Sequence, residues 1–350
     1  MDPLLLSYLG DDKTSDRDLP EGLTLEDVAE LFRWMVTLRA FDERAVALQR
    51  QGRLGTYPMC WGEEATQCGP LFACAEEDWV FPSYRQQAVG ILRGVPPATI
   101  FRYRRGIGGR DGFWSPRAHR VAPITISIAT QVPHAVGFAW AARIARSSAC
   151  AVVWHGEGAT SEGDWHEGMN LASVVKAGVV IFCTNNQWAI STPFSRQTAT
   201  STIAEKASIY GMPSIRVDGF DVVACWKATR DALERARDGG GPTLIEAVTY
   251  RIGPHATADD PSRYRDQTEA EFWRAKEPIG RAGAYLERHG ALDRYERAAV
   301  EAGAKTTIDE AVREMESTPI PGHDVLFDTT FSSGMPWPLR DGLAELDALP

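Results

Sequence analysis

Short apolar runs of strand length alternate along this chain with stretches whose apolar residues recur every three or four positions. The clearest strand-like runs are residues 151–154 and 179–183, and each ends at a turn rich in Gly or Asn. Between them, apolar residues recur at helical spacing at Trp165, Met169, Ala172 and Val175. Ser161 is placed to cap this helix and Gly178 to end it. The pattern predicts a strand, a helix and a second strand that is parallel to the first.

The same alternation continues on both sides of this unit. Before it, Thr24 is placed to cap a long amphipathic helix that ends near Gln51, and another helix is predicted to begin near Glu63. After it, strands are predicted at residues 214–217 and in the run that ends at Gly253. Because elements that alternate in this way are typical of α/β proteins, we expect a doubly wound, mainly parallel sheet.

Three segments are predicted along the chain. Residues 1–22 mix Asp, Gly and Pro with a few leucines and are expected to form an N-terminal arm, either packed on a partner subunit or frayed. Residues 23–317 hold the α/β domain, and their last part, 267–317, predicts two charged helices. Residues 318–350 contain aromatic residues without helical period, so we expect an extended C-terminal tail that contacts a partner subunit.

Polar side chains follow the two central strands at the points where these strands end. Glu157 comes after the first strand and Asn186 after the second, and the carboxyl ends of parallel strands open on one ligand-binding edge. A carboxylate, an amide oxygen and a backbone carbonyl suit Mg²⁺, while Gly156 and Gly158 let the backbone approach a diphosphate. A glycine turn alone is common, and paired asparagines often only form turns, so it is the combination that favours a cofactor site.

The composition narrows the class of protein. A chain of 350 residues, of which 44% are hydrophobic, can bury the core of one large α/β module. The net charge of -10 argues against binding to nucleic acids or anionic membranes, because both require concentrated basic charge. The six cysteines form no C-x-x-C pair, and the N-terminus has neither the basic start nor the apolar run of a targeting signal. We therefore expect a cytoplasmic protein with reduced thiols and no membrane span.

Three longer segments, GEGATSEGDWHEGMNLA, CTNNQWAISTP and TYRIGPHATADDPSRYR, carry a family resemblance. They resemble the alpha subunit of the decarboxylating dehydrogenase component of 2-oxoacid dehydrogenase complexes, over residues 23–339. The branched-chain branch is the most similar, since its metal-binding acid is Glu in place of Asp. The resemblance implies the thiamine diphosphate-binding fold and oxidative decarboxylation of a 2-oxo acid. It also implies an α2β2 heterotetramer, whose beta subunit provides the Glu that activates the cofactor, and acyl transfer to a lipoylated acyltransferase component.

The resemblance also implies a role for individual residues. Mg²⁺ would be bound by Glu157, Asn186 and the backbone carbonyl of Trp188. The implied cofactor-binding residues are Tyr84, Arg85, Ser127, Gly156, Glu157, Gly158, Ala159, Asn186 and His255. Tyr84 and His255 are the implied catalytic residues, and a near-neutral pKa would let His255 hand on a proton. A monovalent cation such as K⁺ is implied near Ser127, Thr130 and Gln131, where the alternative is an ordinary helix start.

Two positions depart from the family pattern. Thr184 stands where branched-chain relatives often carry an Arg that contacts the diphosphate, and Trp61 stands where the family usually has Arg. Three hypotheses therefore stay open. The chain is the alpha subunit of a branched-chain 2-oxo acid dehydrogenase, or of a pyruvate or acetoin dehydrogenase, or it is a non-catalytic paralogue that binds a partner. The presence of Glu157, Asn186 and His255 argues against the third.

Overall fold

A sheet of five parallel strands forms the centre of the protein, seen in a computed structural model that describes residues 5–10, 16–108, 114–327 and 331–349. The strands are β1 (Trp79–Phe81), β2 (Ala151–Gly156), β3 (Val179–Asn185), β4 (Trp188–Ala189), β5 (Thr192–Pro193), β6 (Ser214–Asp218) and β7 (Thr243–Val248). The sheet has the order β1-β2-β3-β7-β6, and β4 and β5 form a separate antiparallel pair. The predicted parallel pairing of β2 and β3 is confirmed, while β7 ends at Val248 and not at Gly253.

Helices connect and cover these strands. They are α1 (Leu25–Arg50), α2 (Glu64–Ala73), α3 (Val89–Leu92), α4 (Pro97–Arg105), α5 (Pro116–His119), α6 (Gln131–Ile144), α7 (Gly163–Val174), α8 (Phe194–Gln197), α9 (Val222–Arg237), α10 (Gln267–Arg274), α11 (Pro278–Arg288), α12 (Arg294–Ser317) and α13 (Trp337–Asp347). The predicted start of α1 is confirmed, since Thr24 and Asp27 form a reciprocal capping box. No helix within the described ranges is long and apolar enough to cross a membrane.

Alternate residues of the central strands face opposite sides of the sheet. Val152 and Trp154 on β2 pack in a hydrophobic cluster with residues of α1, α2, α9, α11 and α12. Ala151 and Val153 pack in a second cluster with residues of α6 and α7. Because side chains alternate along a strand, a strand that is buried on both faces is apolar throughout. Helices therefore cover both faces of the sheet, which confirms the predicted doubly wound α/β fold.

Three local predictions were wrong. Ser161 does not cap α7, because residues Glu157–Ser161 form a turn of 3₁₀ helix and α7 begins only after Glu162. Gly178 does not end α7 either, since its last residue is Val174. Residues 267–317 form three helices, because capping carboxylates interrupt the charged pattern: Glu277 caps α11, and Asp293 opens a capping box at α12.

The described part of the N-terminal arm binds the edge of the sheet of its own domain. Leu6 forms a parallel bridge with Val217 on β6, and the backbone N–H groups of Tyr8 and Leu9 donate to Asp221 at 2.6 and 2.7 Å. Leu9 is fully buried. The arm is therefore neither frayed nor free over residues 5–10, because the open edge of β6 offers it unpaired backbone groups.

The C-terminal tail is only partly extended. Its last described stretch forms α13, which begins at Trp337 after Pro336 and packs on the 3₁₀ turn His323–Leu326. His323 Nδ1 lies 3.0 Å from Asp347 Oδ1 in this contact. The expectation of a fully extended tail was wrong for this stretch, because a proline in the first turn is compatible with a helix. Its contact with a partner subunit stays a prediction.

Candidate active site

The segments that follow β1, β2, β3 and β7 meet at the carboxyl edge of the sheet around a cavity of about 230 Å³. Most of the predicted site residues line this cavity, namely Tyr84, Arg85, Gly156, Glu157, Gly158, Ala159, Asn186, Trp188 and His255. They come from four separate segments, and they meet because parallel strands end on one edge. The structure thus brings together residues that lie up to 171 positions apart in sequence (255 minus 84).

Glu157 offers a free oxygen to this cavity. Its side chain is 1% exposed, its Oε2 accepts from the backbone N–H of Asn186 at 3.3 Å, and its Oε1 has no hydrogen-bond partner among the described residues. Burial raises the pKa of Glu157 above its ordinary value. A buried carboxylate oxygen without a partner is costly, so a cation bound at Oε1 would satisfy it.

The two neighbouring asparagines have different surroundings. Asn185 Nδ2 donates to Glu246 at 2.7 Å, and its Oδ1 accepts from the backbone N–H of Gln187 at 3.2 Å, which shapes the turn. Asn186 lines the cavity, and its Nδ2 donates to Glu63 at 2.7 Å. The pair therefore combines both chemistries that its sequence suggested, since Asn185 forms the turn and Asn186 faces the candidate cation site.

Arg251 supports the segment after Asn186 and was missed by the sequence reasoning. Its guanidinium is buried and donates to the carbonyls of Trp188 at 3.0 Å and Ile190 at 2.7 Å. The Trp188 carbonyl, a predicted Mg²⁺ ligand, therefore already accepts one hydrogen bond. A carbonyl has two lone pairs, so one remains for a cation. Nothing in the sequence around Arg251 distinguishes it from an exposed Arg at the end of a strand.

Arg85 and His255 form the other wall of the cavity. Arg85 Nη2 lies 3.2 Å from His255 Nδ1, and Nη1 donates to the His255 carbonyl at 3.2 Å. Since Arg is always a donor, Nδ1 accepts, and the proton of the neutral ring is on Nε2. Burial lowers the pKa of His255 to about 4, and the charges of Arg85 and Arg251 add to this effect. The expected near-neutral pKa was therefore wrong, because burial and, in addition, the nearby guanidinium groups disfavour the protonated imidazole.

Tyr84 lies beside these two residues. Its ring meets the ring of His255 edge-on at a centroid distance of 6.0 Å, and the Arg85 guanidinium lies 5.7 Å from its centroid. The hydroxyl, the guanidinium and the imidazole of these neighbours can all donate to an anion. This wall of the cavity therefore suits a phosphate group, while the wall at Glu157 suits a cation.

Glu63 is a second buried carboxylate of the cavity that the sequence reasoning did not include. It is 1% exposed, its Oε1 lies 3.6 Å from Arg85 Nε, and its Oε2 has no partner among the described residues. Burial raises the pKa of Glu63 to about 7, and the nearby Glu157 adds to the increase. Two acidic residues at the start of a helix, here Glu63 and Glu64, normally indicate an exposed first turn. The sequence therefore contains no sign that Glu63 is buried in the site.

The predicted monovalent cation site is only partly brought together. Gln131 is buried and lines the cavity; its Nε2 donates to the Trp154 carbonyl at 2.7 Å, and its Oε1 has no described partner. Thr130 instead donates to Asp164 at 3.2 Å, and neither it nor the exposed Ser127 lines the cavity. The roles of Ser127 and Thr130 stay predictions.

The two departures from the family pattern have different positions. Thr184 is buried at the end of β3 and lines the cavity with an Oγ1 that has no described partner. Trp61 does not line the cavity. The guanidinium groups of Arg39 and Arg274 lie over its ring, at 5.4 and 4.6 Å from the centroid. Of the two, only Thr184 is placed to contact a ligand in this cavity.

Comparisons with known proteins identify the family to which this chain belongs. The family model described as "Dehydrogenase E1 component" matches residues 32–324. The 3-methyl-2-oxobutanoate dehydrogenase subunit alpha of Mycobacterium tuberculosis is 44% identical over 324 residues, which cover 91% of this chain and 86% of the relative. The pyruvate dehydrogenase E1 component subunit alpha of Staphylococcus aureus is 40% identical over 304 residues, or 87% of this chain and 82% of the relative. The chain therefore belongs to the dehydrogenase E1 component family, whose members depend on thiamine diphosphate.

Proposed function

We propose that this chain is the alpha subunit of a branched-chain 2-oxo acid dehydrogenase, which decarboxylates 3-methyl-2-oxobutanoate and related acids. The observation that supports this most directly is the free Oε1 of buried Glu157 beside Asn186, in the same cavity as Arg85 and His255. A metal diphosphate requires groups that suit a cation beside groups that suit an anion, so the chemistry of these neighbouring residues supports the proposal. The 44% identity to a relative named for the branched-chain acid favours this substrate.

The residues of the cavity fit the cofactor. Glu157, Asn186 and the Trp188 carbonyl would hold Mg²⁺, and Tyr84, Arg85, Gly158 and Ala159 would bind the diphosphate. Thiamine diphosphate, when bound, supplies a carbon nucleophile and an electron sink for the loss of CO₂ from a 2-oxo acid. The proton on Nε2 of neutral His255 would be available to the phosphate or to the reacting group, because Arg85 occupies Nδ1. The low pKa of His255 keeps the ring neutral at physiological pH.

The proposal includes partners. A beta subunit would complete an α2β2 heterotetramer and provide the Glu that activates the cofactor, and the acyl group would pass to a lipoylated acyltransferase component. Both relatives are named as alpha subunits, which supports a second kind of subunit. A cytoplasmic location is part of the proposal, and it is supported by the six cysteines, which are all free. K⁺ near Gln131 is proposed on the resemblance and on the unpartnered Oε1 of that residue.

The test is to co-express this chain with a candidate beta subunit from the same genome, to titrate thiamine diphosphate with Mg²⁺ by calorimetry, and then to follow dye reduction. We expect binding, with faster turnover of 3-methyl-2-oxobutanoate than of pyruvate. A preference for pyruvate would instead support the second candidate, a pyruvate dehydrogenase, which the 40% identity to the staphylococcal relative favours. A folded complex that binds no cofactor would leave the non-catalytic paralogue.

A further inference from the structure

We propose that Glu63 is a positioning residue for the metal end of this site. It holds the side-chain amide of Asn186 so that the amide oxygen, and not the nitrogen, is free for the cation. The inference rests on the proposed function, because it concerns a residue that acts on an expected Mg²⁺ ligand. It adds a buried carboxylate that is neither a predicted ligand nor a predicted catalytic residue.

The hydrogen bonds of Asn186 specify one orientation of its amide. An Asn side chain has a donor end and an acceptor end of almost equal size, so packing alone discriminates poorly between them. Asn186 Nδ2 donates to Glu63 Oε1 at 2.7 Å, and this oxygen accepts whether the carboxyl group is ionised or carries its proton on Oε2. At the other end, the backbone N–H of Trp188 donates to Asn186 Oδ1 at 3.2 Å. Both contacts fail if the amide is reversed, and the reversed amide would present its N–H₂ group to a cation.

The burial of Glu63 needs such an explanation. A buried carboxylate is costly unless it is paired, and the pairing of Glu63 is incomplete. Arg85 Nε lies 3.6 Å from Oε1, which is longer than a normal hydrogen bond, and Oε2 has no partner among the described residues. Glu63 therefore links an expected diphosphate ligand, Arg85, to an expected metal ligand, Asn186. This position suggests that Glu63 aligns these two ligands for the metal diphosphate.

The next residue in sequence provides a matched comparison. Glu64 is also completely buried, but its carboxylate is fully engaged: Oε1 accepts from Arg39 at 2.6 Å, and Oε2 accepts from the backbone N–H of Gly62 at 3.0 Å. It does not line the cavity. A change at Glu64 therefore tests the general effect of removing a buried carboxylate from the start of α2, without a contact to Asn186.

The experiment measures Mg²⁺ affinity by calorimetry in the assembled complex, at a saturating concentration of thiamine diphosphate. Glu63→Met keeps the volume but removes the acceptor, and we expect Mg²⁺ to bind about 10- to 100-fold more weakly, as when a residue that orients a metal ligand is lost. Glu63→Gln keeps an acceptor oxygen, so we expect an affinity within about threefold of the wild type. Glu64→Met is expected to lower the melting temperature and to leave Mg²⁺ affinity unchanged.

Several outcomes would overturn the proposal. They are wild-type affinity in Glu63→Met, equal weakening in Glu63→Met and Glu64→Met, or a Glu63→Gln variant as weak as Glu63→Met. If Glu63→Met does not assemble, Glu63→Asp replaces it, because the shorter side chain keeps the charge but withdraws from Asn186. Unchanged Mg²⁺ affinity in Glu63→Asp would also contradict the proposal. A wild-type complex that binds neither Mg²⁺ nor thiamine diphosphate would overturn the proposed function itself.

Discussion

At the scale of the residue, several side chains that line the cavity have a buried polar atom without a hydrogen-bond partner in the protein. Glu157 Oε1, Glu63 Oε2 and Thr184 Oγ1 all lack a hydrogen bond within the described part of the chain, and all three residues line the cavity. Buried polar groups are normally hydrogen-bonded, so several exceptions around one cavity indicate a missing polar ligand. Each of these atoms can be tested by a substitution that removes it without changing the volume of the side chain.

Thr184→Val removes such a hydroxyl while keeping the shape of the side chain. We expect unchanged thermal stability, because no protein partner is lost, and about fivefold weaker binding of thiamine diphosphate, because one hydrogen bond is worth about 1 kcal/mol. The control is Thr243→Val, since Thr243 Oγ1 is also buried without a described partner but does not line the cavity. Equal cofactor affinity in the two variants, measured by calorimetry, would exclude Thr184 as a ligand.

His155, at the end of β2, predicts a specific pH dependence of stability. Its ring is fully buried, its Nε2 accepts from Trp165 Nε1 at 3.2 Å, and its Nδ1 lies 2.9 Å from the Gly156 carbonyl. Burial lowers the pKa of His155 from the ordinary 6.5 to about 4. The unfolded chain therefore binds more protons than the folded chain between these values.

The free energy of unfolding should consequently fall as the pH is lowered from about 6.5 towards 4. Above this range His155 is neutral in both states and adds nothing to the pH dependence of stability. His155→Phe removes this term, so we expect its melting temperature to depend less steeply on pH than that of the wild type. The measurement is a series of melting curves between these two pH values, which gives the slope of melting temperature against pH for each protein. A loss of stability that is the same at every pH does not change this slope. Parallel curves would contradict the buried neutral imidazole.

At the scale of the element, the turns that follow the strands fix the positions of the site residues. The turn after β3 places Gln187 at φ 72° and Ile190 at φ 56°, in the left-handed region that is unfavourable for a β-branched residue. This segment is held from β7 by Glu246, which accepts from Asn185 at 2.7 Å and from the backbone N–H of Ala204 at 3.0 Å. A buried carboxylate on one strand thus maintains the turn that follows its neighbour.

Glu246→Leu should therefore destabilise the protein, because it leaves buried donors of Asn185 and Ala204 without an acceptor. We expect the free energy of unfolding to fall by about 3 kcal/mol, measured by urea denaturation at a fixed concentration of the complex. The comparison is Glu234→Leu, which removes an exposed carboxylate that pairs with Arg230 at 2.8 Å. There we expect a loss of less than about 1 kcal/mol. Similar losses at both positions would argue against the bracing role of Glu246.

At the scale of the whole molecule, the residues that line the cavity, among them Glu157, Arg85 and His255, suit the metal and diphosphate end of the proposed cofactor. The aminopyrimidine end requires a carboxylate, and the resemblance places it in the beta subunit. A site divided in this way couples cofactor binding to subunit assembly, because each chain alone offers only part of the contacts.

Assembly and cofactor affinity should therefore change together. We expect the co-expressed subunits to sediment as an α2β2 complex that binds thiamine diphosphate with Mg²⁺, and this chain alone to bind it at least about tenfold more weakly, a loss of about 1.4 kcal/mol. Analytical ultracentrifugation and calorimetry on the same samples measure both quantities. Full affinity in the isolated chain would show that the beta subunit contributes no essential contact.

The local pattern of apolar residues was sufficient to predict the architecture. Residues 151–154 and 179–183 are apolar at every position, because both faces of the parallel sheet are covered by helices, and this signal is contained in consecutive residues. The positions of Glu157 and Asn186 at one edge followed from the same logic, since parallel strands end together. Thr24 likewise predicted the start of α1, because a helix cap is a local interaction, and the structure adds Asp27 as its partner in the capping box.

Only the tertiary structure decided which other side chains reach the cavity. Glu63 and Arg251 are separated by 188 positions (251 minus 63), and each forms a hydrogen bond with the segment of Asn186 and Trp188. Their sequence surroundings resemble an ordinary first turn of a helix and an ordinary strand end. The low pKa of His255 has largely the same origin, since its burial and its contact with Arg85, 170 positions away in sequence (255 minus 85), arise only when distant segments meet. Burial and charge pairing depend on contacts between such segments, and therefore no local pattern of residues could predict them.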